Sequence, residues 1–203
     1  MFKPRFARRS LERYRKKGLD ELEQRMVASA VESGVAGTRV VEIGGGIGCI
    51  QAELLEAGAE QGEVVELVGA YEPFASELAR EKGLEGRTAF RVVDILERPD
   101  AVAPADIVVL NRVVCCSPDG VALTAAAGRL ARRTLVLSFP RDVLWIRVAV
   151  LMLNAGLWLM RNPFRVFVHR PAALFAAAEA EGVHVEGGDR GAFWQWAALR
   201  RAA

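Results

Sequence analysis

The feature that most constrains this chain is the run Val40-Val41-Glu42-Ile43-Gly44-Gly45-Gly46-Ile47-Gly48-Cys49, with Glu66 following 22 residues after Gly44. An apolar run ends in a glycine cluster and passes into a helix-like stretch at 50–57. That is the strand–turn–helix opening of a nucleotide-binding α/β domain. Glycines let the backbone bend sharply and approach a ligand that a Cβ would block. The helix that follows presents unpaired N–H groups to a negatively charged ligand group. Glu66 closes the apolar pair Val64-Val65, where a carboxylate is placed to accept from two ribose hydroxyls. The pattern points to an adenosine-containing cofactor.

The rest of the chain repeats the alternation. Apolar runs at 39–43, 64–68, 89–93, 107–110 and 134–139 read as buried parallel strands. Helical stretches fall between them at 50–57, 71–82 and 121–132, and the proline-punctuated link at 95–105 has room for a single helical turn. Repeated βα units predict an α/β, doubly wound, Rossmann-like sheet of seven mostly parallel strands with helices on both faces. Two helices precede it within 1–33. One spans 6–17 and breaks at Gly18. The other starts at the N-cap Asp20, places Leu22, Met26, Val27, Ala30 and Val31 on one face, and ends at Gly34. The stretch 143–160 is apolar nearly all round, but Arg147, Asn154 and Arg161 recur every seven residues and make one narrow polar line on a helix. A helix at 172–181 follows. The closing runs 183–185 and 193–199, joined by Gly187-Gly188-Asp189-Arg190-Gly191, predict an antiparallel hairpin at the sheet edge. At 203 residues the chain is expected to be one domain, 1–203, with 141–182 as a helical lid or acceptor segment.

A net charge of +2 supplies no bulk electrostatic argument for nucleic acid, and none is expected as a partner. The charge is uneven, however. Residues 1–17 carry eight basic side chains, Lys3, Arg5, Arg8, Arg9, Arg13, Arg15, Lys16 and Lys17, against Glu12 alone. Such a helix is either a solvated face or a contact for phosphate or an anionic membrane. Cys49, Cys115 and Cys116 are an odd set without framework spacing, and His169 and His184 stand apart, so neither disulfides nor a metal site is expected. The basic N-terminus has no apolar core of a secretory signal, and a cytoplasmic enzyme is the natural class. The apolar stretch 143–160 falls short of the ~20 residues of a membrane span and carries Arg147. It is expected to be a lid over an apolar acceptor, a homodimer contact or a peripheral membrane helix.

Together these features resemble the class I S-adenosylmethionine-dependent methyltransferases over nearly the whole chain. The markers are Glu42-Ile-Gly44-Gly-Gly46-Ile-Gly48, the acid Glu66 ending the second strand, Asp94 ending the third, and Ala105 to Val113 around the fourth. Two stretches are similar to magnesium-protoporphyrin O-methyltransferases. These are Tyr14-Arg-Lys-Lys-Gly18-Leu19 and the segment after the fourth strand, where Cys116-Ser117-Pro118 stands in place of that subgroup's His-Tyr-Pro. The resemblance implies S-adenosyl-L-methionine as cofactor. It further implies that Glu42, Gly44, Gly45, Gly46 and Gly48 cradle the methionine end, that Glu66 takes the ribose hydroxyls, that Asp94 and Ile95 hold the adenine, and that Asn111 lines the site near the sulfonium.

Three residues are candidates for catalysis, each beside a plainer alternative. Tyr14 is either an acid/base or lid, or a packing residue of its helix. Cys116 is either reactive or, with Cys115, a small buried packing residue. His169, before Arg170-Pro171, either faces the acceptor or caps a helix. The acceptor is expected to be a small, fairly apolar molecule held by Leu144, Trp145, Val148, Leu151, Met152, Leu157 and Trp158, with Arg147 or Asn154 as polar anchor. Two other classes compete. One is a nicotinamide-dependent oxidoreductase, on the likeness of Gly44-x-Gly46-x-x-Cys49 to that fingerprint. The other is a cofactor-binding scaffold or cyclase that transfers no methyl group.

Overall fold

The central apolar runs form strands because their side chains are covered on both sheet faces. The computed structural model describes residues 4–202, so Lys3 of the basic set lies outside the described residues. The strands are β1 (Arg39–Ile43), β2 (Gln61–Glu66), β3 (Thr88–Val92), β4 (Ala105–Leu110), β5 (Ala131–Pro140), β6 (Val183–Arg190) and β7 (Trp194–Arg201). They form one seven-stranded sheet in the order β3-β2-β1-β4-β5-β7-β6. The first five run parallel, and β7 is antiparallel to both β5 and β6. The chain therefore moves outward from β1 to β3, then returns to place β4 on the other side of β1. That reversal opens a crevice above the C-terminal ends of β1 and β4.

The helices are α1 (Pro4–Lys17), α2 (Glu21–Glu32), α3 (Cys49–Glu56), α4 (Glu72–Glu81), α5 (Gly120–Leu130), α6 (Leu144–Leu159) and α7 (Pro171–Ala180). Alternation along β1 sends Val41 and Ile43 to a core shared with Leu123, Ala127, Leu174 and Ala178 of α5 and α7. Val40 goes to the opposite core, with Leu11, Met26, Leu54 and Leu78 of α1 to α4. Helix α2 begins as expected at Asp20, through a full capping box. Asp20 Oδ1 accepts from Glu23 N at 3.0 Å, and Glu23 Oε2 accepts from Asp20 N at 2.8 Å. Of its expected apolar face, Met26 and Ala30 are buried, but Val31 is exposed.

Several boundaries differ from the pattern in the sequence. Strand β2 starts at Gln61 and stops at Glu66, rather than spanning 64–68. Its early part escapes notice because Glu63 is a charge in a buried strand, held by Arg39 and Arg91 of the neighbouring strands. Helix α5 ends at Leu130, and residues 131–133 open β5 instead. The glycine-rich stretch before Gly191 is strand, not turn. β6 runs to Arg190 with a register shift between Val185 and Gly187, and a Cβ on Gly188 would lie 2.3 Å from the Trp196 carbonyl oxygen. Only glycine permits that approach of β6 to β7. The turn lies at 191–193, closed by Gly191 N donating to Trp194 O at 2.9 Å. Strand β3 is an edge with Val92 exposed, so it is not fully buried.

Candidate functional site

Strand β1 ends at Ile43 and the chain turns at Gly44 with φ +65°. A Cβ there would meet Val113 Cγ2 at 2.3 Å, so neither the conformation nor the space admits another residue. Gly48 also has positive φ, +77°, and caps the start of α3. Its missing Cβ leaves room for Val64 Cγ2, which would sit 2.7 Å away. Gly48 thus fits the helix against β2 and does not line the crevice.

The crevice is a cavity of about 610 Å³ that gathers Glu42, Gly44, Gly45, Gly46, Glu66, Asp94, Ile95 and Asn111. Of the nine residues implied for the cofactor, Gly48 alone lies outside this lining. Glu42 Oε2 accepts from Gln51 N at 2.9 Å, at the first turn of α3. Its carboxyl is buried, and loss of water pushes its pKa up to about 8, against the pull of the Gln51 N–H. Glu66 Oε1 accepts from Gly46 N at 3.0 Å and Oε2 from Leu67 N at 2.9 Å, which aims the carboxylate across the glycine loop. Burial raises its pKa, and these N–H groups oppose the rise. Asp94 Oδ1 accepts from Leu96 N at 2.8 Å, fixing the turn that also carries the buried Ile95. A second cavity of about 320 Å³ lies between α3, α4 and β3, away from the strand ends, and shares only Ile47 with the first.

The roof over the cavity was not legible as such. Ser10 and Arg13 of α1, Glu23 of α2, Arg112 and Phe164 all line it. One polar network ties this roof to the sheet. Asn111 Nδ2 donates to Glu23 Oε1 at 3.0 Å, and Ser138 Oγ donates to Asn111 Oδ1 at 2.8 Å. Arg112 has φ +56°, its N donates to Ser138 Oγ at 2.9 Å, and its Nη2 donates to Asp20 Oδ2 at 2.7 Å. Arg13 lies 3.6 Å from Glu23. The only sequence signal for Glu23 was its place three residues after the N-cap, and nothing in the pattern marked Arg112.

Of the three catalytic candidates, the structure brings one to the cavity. Cys116 lines it. Its Sγ lies 4.0 Å from Cys115 Sγ, and the contact between the two thiols lowers the Cys116 pKa while raising that of buried Cys115. Tyr14 is instead buried between helices, its hydroxyl donating to Glu53 Oε1, and it does not line the cavity. Burial and the carboxylate beside it raise its pKa. His169 packs against Gly120 at the start of α5, with Nε2 3.1 Å from Ser117 O and its ring stacked near Phe167 at 6.2 Å. In this arrangement both side chains pack within the fold, outside the cavity lining. The α6 side chains expected to wall an acceptor lie elsewhere. None of that helix's side chains lines the cavity, Phe164 alone reaching it from 141–182. Arg147 pairs with Asp142, and Asn154 exchanges hydrogen bonds of 2.8 and 2.9 Å with the Val166 backbone, so both polar anchors are spent on local structure.

No family model and no curated protein matches the chain. Solved structures do. Magnesium protoporphyrin IX methyltransferase from Synechocystis PCC 6803 with bound SAH superposes with a TM-score of 0.70 at 22% identity, over 89% of this chain and 83% of that one. An O-methyltransferase family protein from Burkholderia thailandensis gives 0.70 at 20%, over 90% and 57%. The cyclase SpnF gives 0.66 at 13%, over 87% and 80%. The fold is thus that of the class I S-adenosylmethionine-dependent methyltransferases.

Proposed function

We propose that this chain binds S-adenosyl-L-methionine in the 610 Å³ cavity and transfers its methyl group to a small, fairly apolar molecule. The observation that carries the reading is the convergence of Glu42, Glu66, Asp94, Ile95 and Asn111 on one cavity at the strand ends. These groups fit the cofactor's chemistry. Glu42 is a buried carboxyl with the Gln51 N–H as its hydrogen-bond partner, and an ammonium would supply its missing counter-charge. Glu66 retains lone pairs for a ribose diol, and Asp94 beside Ile95 offers an acceptor next to an apolar seat for a ring. The neighbouring methyltransferase crystallised with SAH supports the same assignment.

The cofactor supplies a methyl on a sulfonium that needs no further activation. The protein's share is therefore to align two reactants and exclude water. Val113, Leu123 and Phe164 supply apolar wall where an acceptor would sit, and Cys116 is the candidate side chain to touch it. A cytoplasmic location and the absence of a nucleic-acid partner belong to the same reading. The test is incubation of the chain with methyl-labelled S-adenosylmethionine and host extract, with mass spectrometry of the product. A labelled small molecule together with released S-adenosylhomocysteine is the expected result. Thermal stabilisation by NADH but not by S-adenosylhomocysteine would replace this reading with the oxidoreductase one. The likeness to a cyclase favours one alternative, cofactor binding without methyl transfer. It is recognised by stabilisation without turnover.

A further inference from the structure

Helix α6 buries only Ile146 and Val150 against the fold. On its other sides Leu144, Leu151, Met152, Trp158 and Leu159, with Met160 just beyond, are 67% to 79% exposed. So many large, exposed apolar side chains on one short helix are not the singly scattered exposures of an ordinary monomer surface. No helix among the described residues is long and apolar enough to cross a membrane. At 16 residues α6 is about 24 Å long, against about 30 Å of bilayer hydrocarbon.

The charge around this face selects its partner. Segments 1–17 and 141–170 together hold 13 of the 27 basic residues and 2 of the 25 acidic ones. The remainder of the chain is acidic. Both basic segments contribute to the cavity lining, one through Arg13 and the other through Phe164. Arg161 and Arg170 stand exposed just beyond the apolar helix, and Arg5, Arg9, Lys16 and Lys17 are exposed on α1. Two-fold pairing of α6 with a second copy would set this cationic rim against itself. An anionic lipid surface complements both the rim and the face.

We infer that α6 lies in the interface of an anionic membrane, with α1 beside it, so that the mouth of the cavity opens onto lipid. An apolar acceptor then reaches the site from the bilayer rather than from water. The docking surface itself does not depend on methyl transfer.

The test is co-sedimentation of the full chain with vesicles of phosphatidylcholine alone and of phosphatidylcholine mixed with phosphatidylglycerol. Binding to the anionic vesicles should be at least about tenfold stronger and should weaken as salt is raised. The double variant Leu151→Glu, Leu159→Glu should lose that binding while keeping its melting temperature, since both side chains are exposed. Arg161→Glu should weaken it without abolishing it. Vesicle binding that the double variant retains, or no binding to either vesicle, overturns the inference. So does a wild-type dimer in solution that the double variant splits into monomers, which would make α6 a subunit contact.

Discussion

Replacing Glu42 with Gln isolates the most costly charge in the cavity. The carboxyl is buried, and its pKa is pushed up to about 8 from an ordinary 4.5, chiefly by loss of water and further by the like charges of Glu23 and Glu66. Between those two values the folded protein holds a proton that the unfolded chain has released. Stability therefore falls as pH rises through the window, being fully present below about 4.5 and lost above about 8. A shift of this size corresponds to a swing of about 5 kcal/mol. For a domain of this length that is roughly a 10–20 °C change in melting temperature. Glutamine keeps an acceptor for the Gln51 N–H but does not titrate. Urea unfolding of both proteins at either end of the window measures the difference. The wild-type free energy should drop relative to Glu42→Gln as pH rises. Saturating S-adenosylhomocysteine should shrink the drop, because its ammonium supplies the counter-charge. Parallel pH profiles for wild type and variant would refute the reasoning.

Three further outcomes are expected. Glu66→Ala removes the acceptor for two backbone N–H groups and for the ribose hydroxyls, so calorimetry should show S-adenosylhomocysteine binding weakened by roughly 1–3 kcal/mol. Gly44→Ala forces a Cβ to within 2.3 Å of Val113 Cγ2 at a φ of +65°, and thermal unfolding should register a loss of about 2 kcal/mol or more. Tyr14→Phe breaks the hydroxyl's bond to Glu53 and should cost about 1 kcal/mol of stability with turnover unchanged, and a large loss of turnover at intact stability would return Tyr14 to the reaction.

The floor of the site was legible because its parts are punctuated locally. A glycine cluster after an apolar run, and an acid at the end of each of the next two strands, are signals that each lie within a few residues. The sheet's centre was legible for the same reason, since β1 and β4 are buried on both faces and read as apolar runs despite Glu42 and Asp106. The roof was not, because it is made by contacts distant in sequence. Glu23 meets Asn111 and Arg112 meets Asp20, 88 and 92 residues apart. Tyr14 and His169 were open to two readings for a related reason. A chemically capable side chain reads the same in sequence whether it faces a cavity or, as here, a Glu53 carboxylate or the Ser117 carbonyl. The start of β2 and the end of β6 hid behind Glu63 and the glycines, whose partners lie on neighbouring strands.

Glu23 holds two posts at once. One carboxylate oxygen closes the capping box of α2 and the other accepts from Asn111 at the cavity wall. The first turn of α2 and the wall of the site therefore fray or form together. Amide hydrogens there should exchange with solvent more slowly when the cavity is filled, although no ligand atom need touch them. That turn is a built-in reporter of occupancy, readable by deuterium uptake without knowledge of the acceptor.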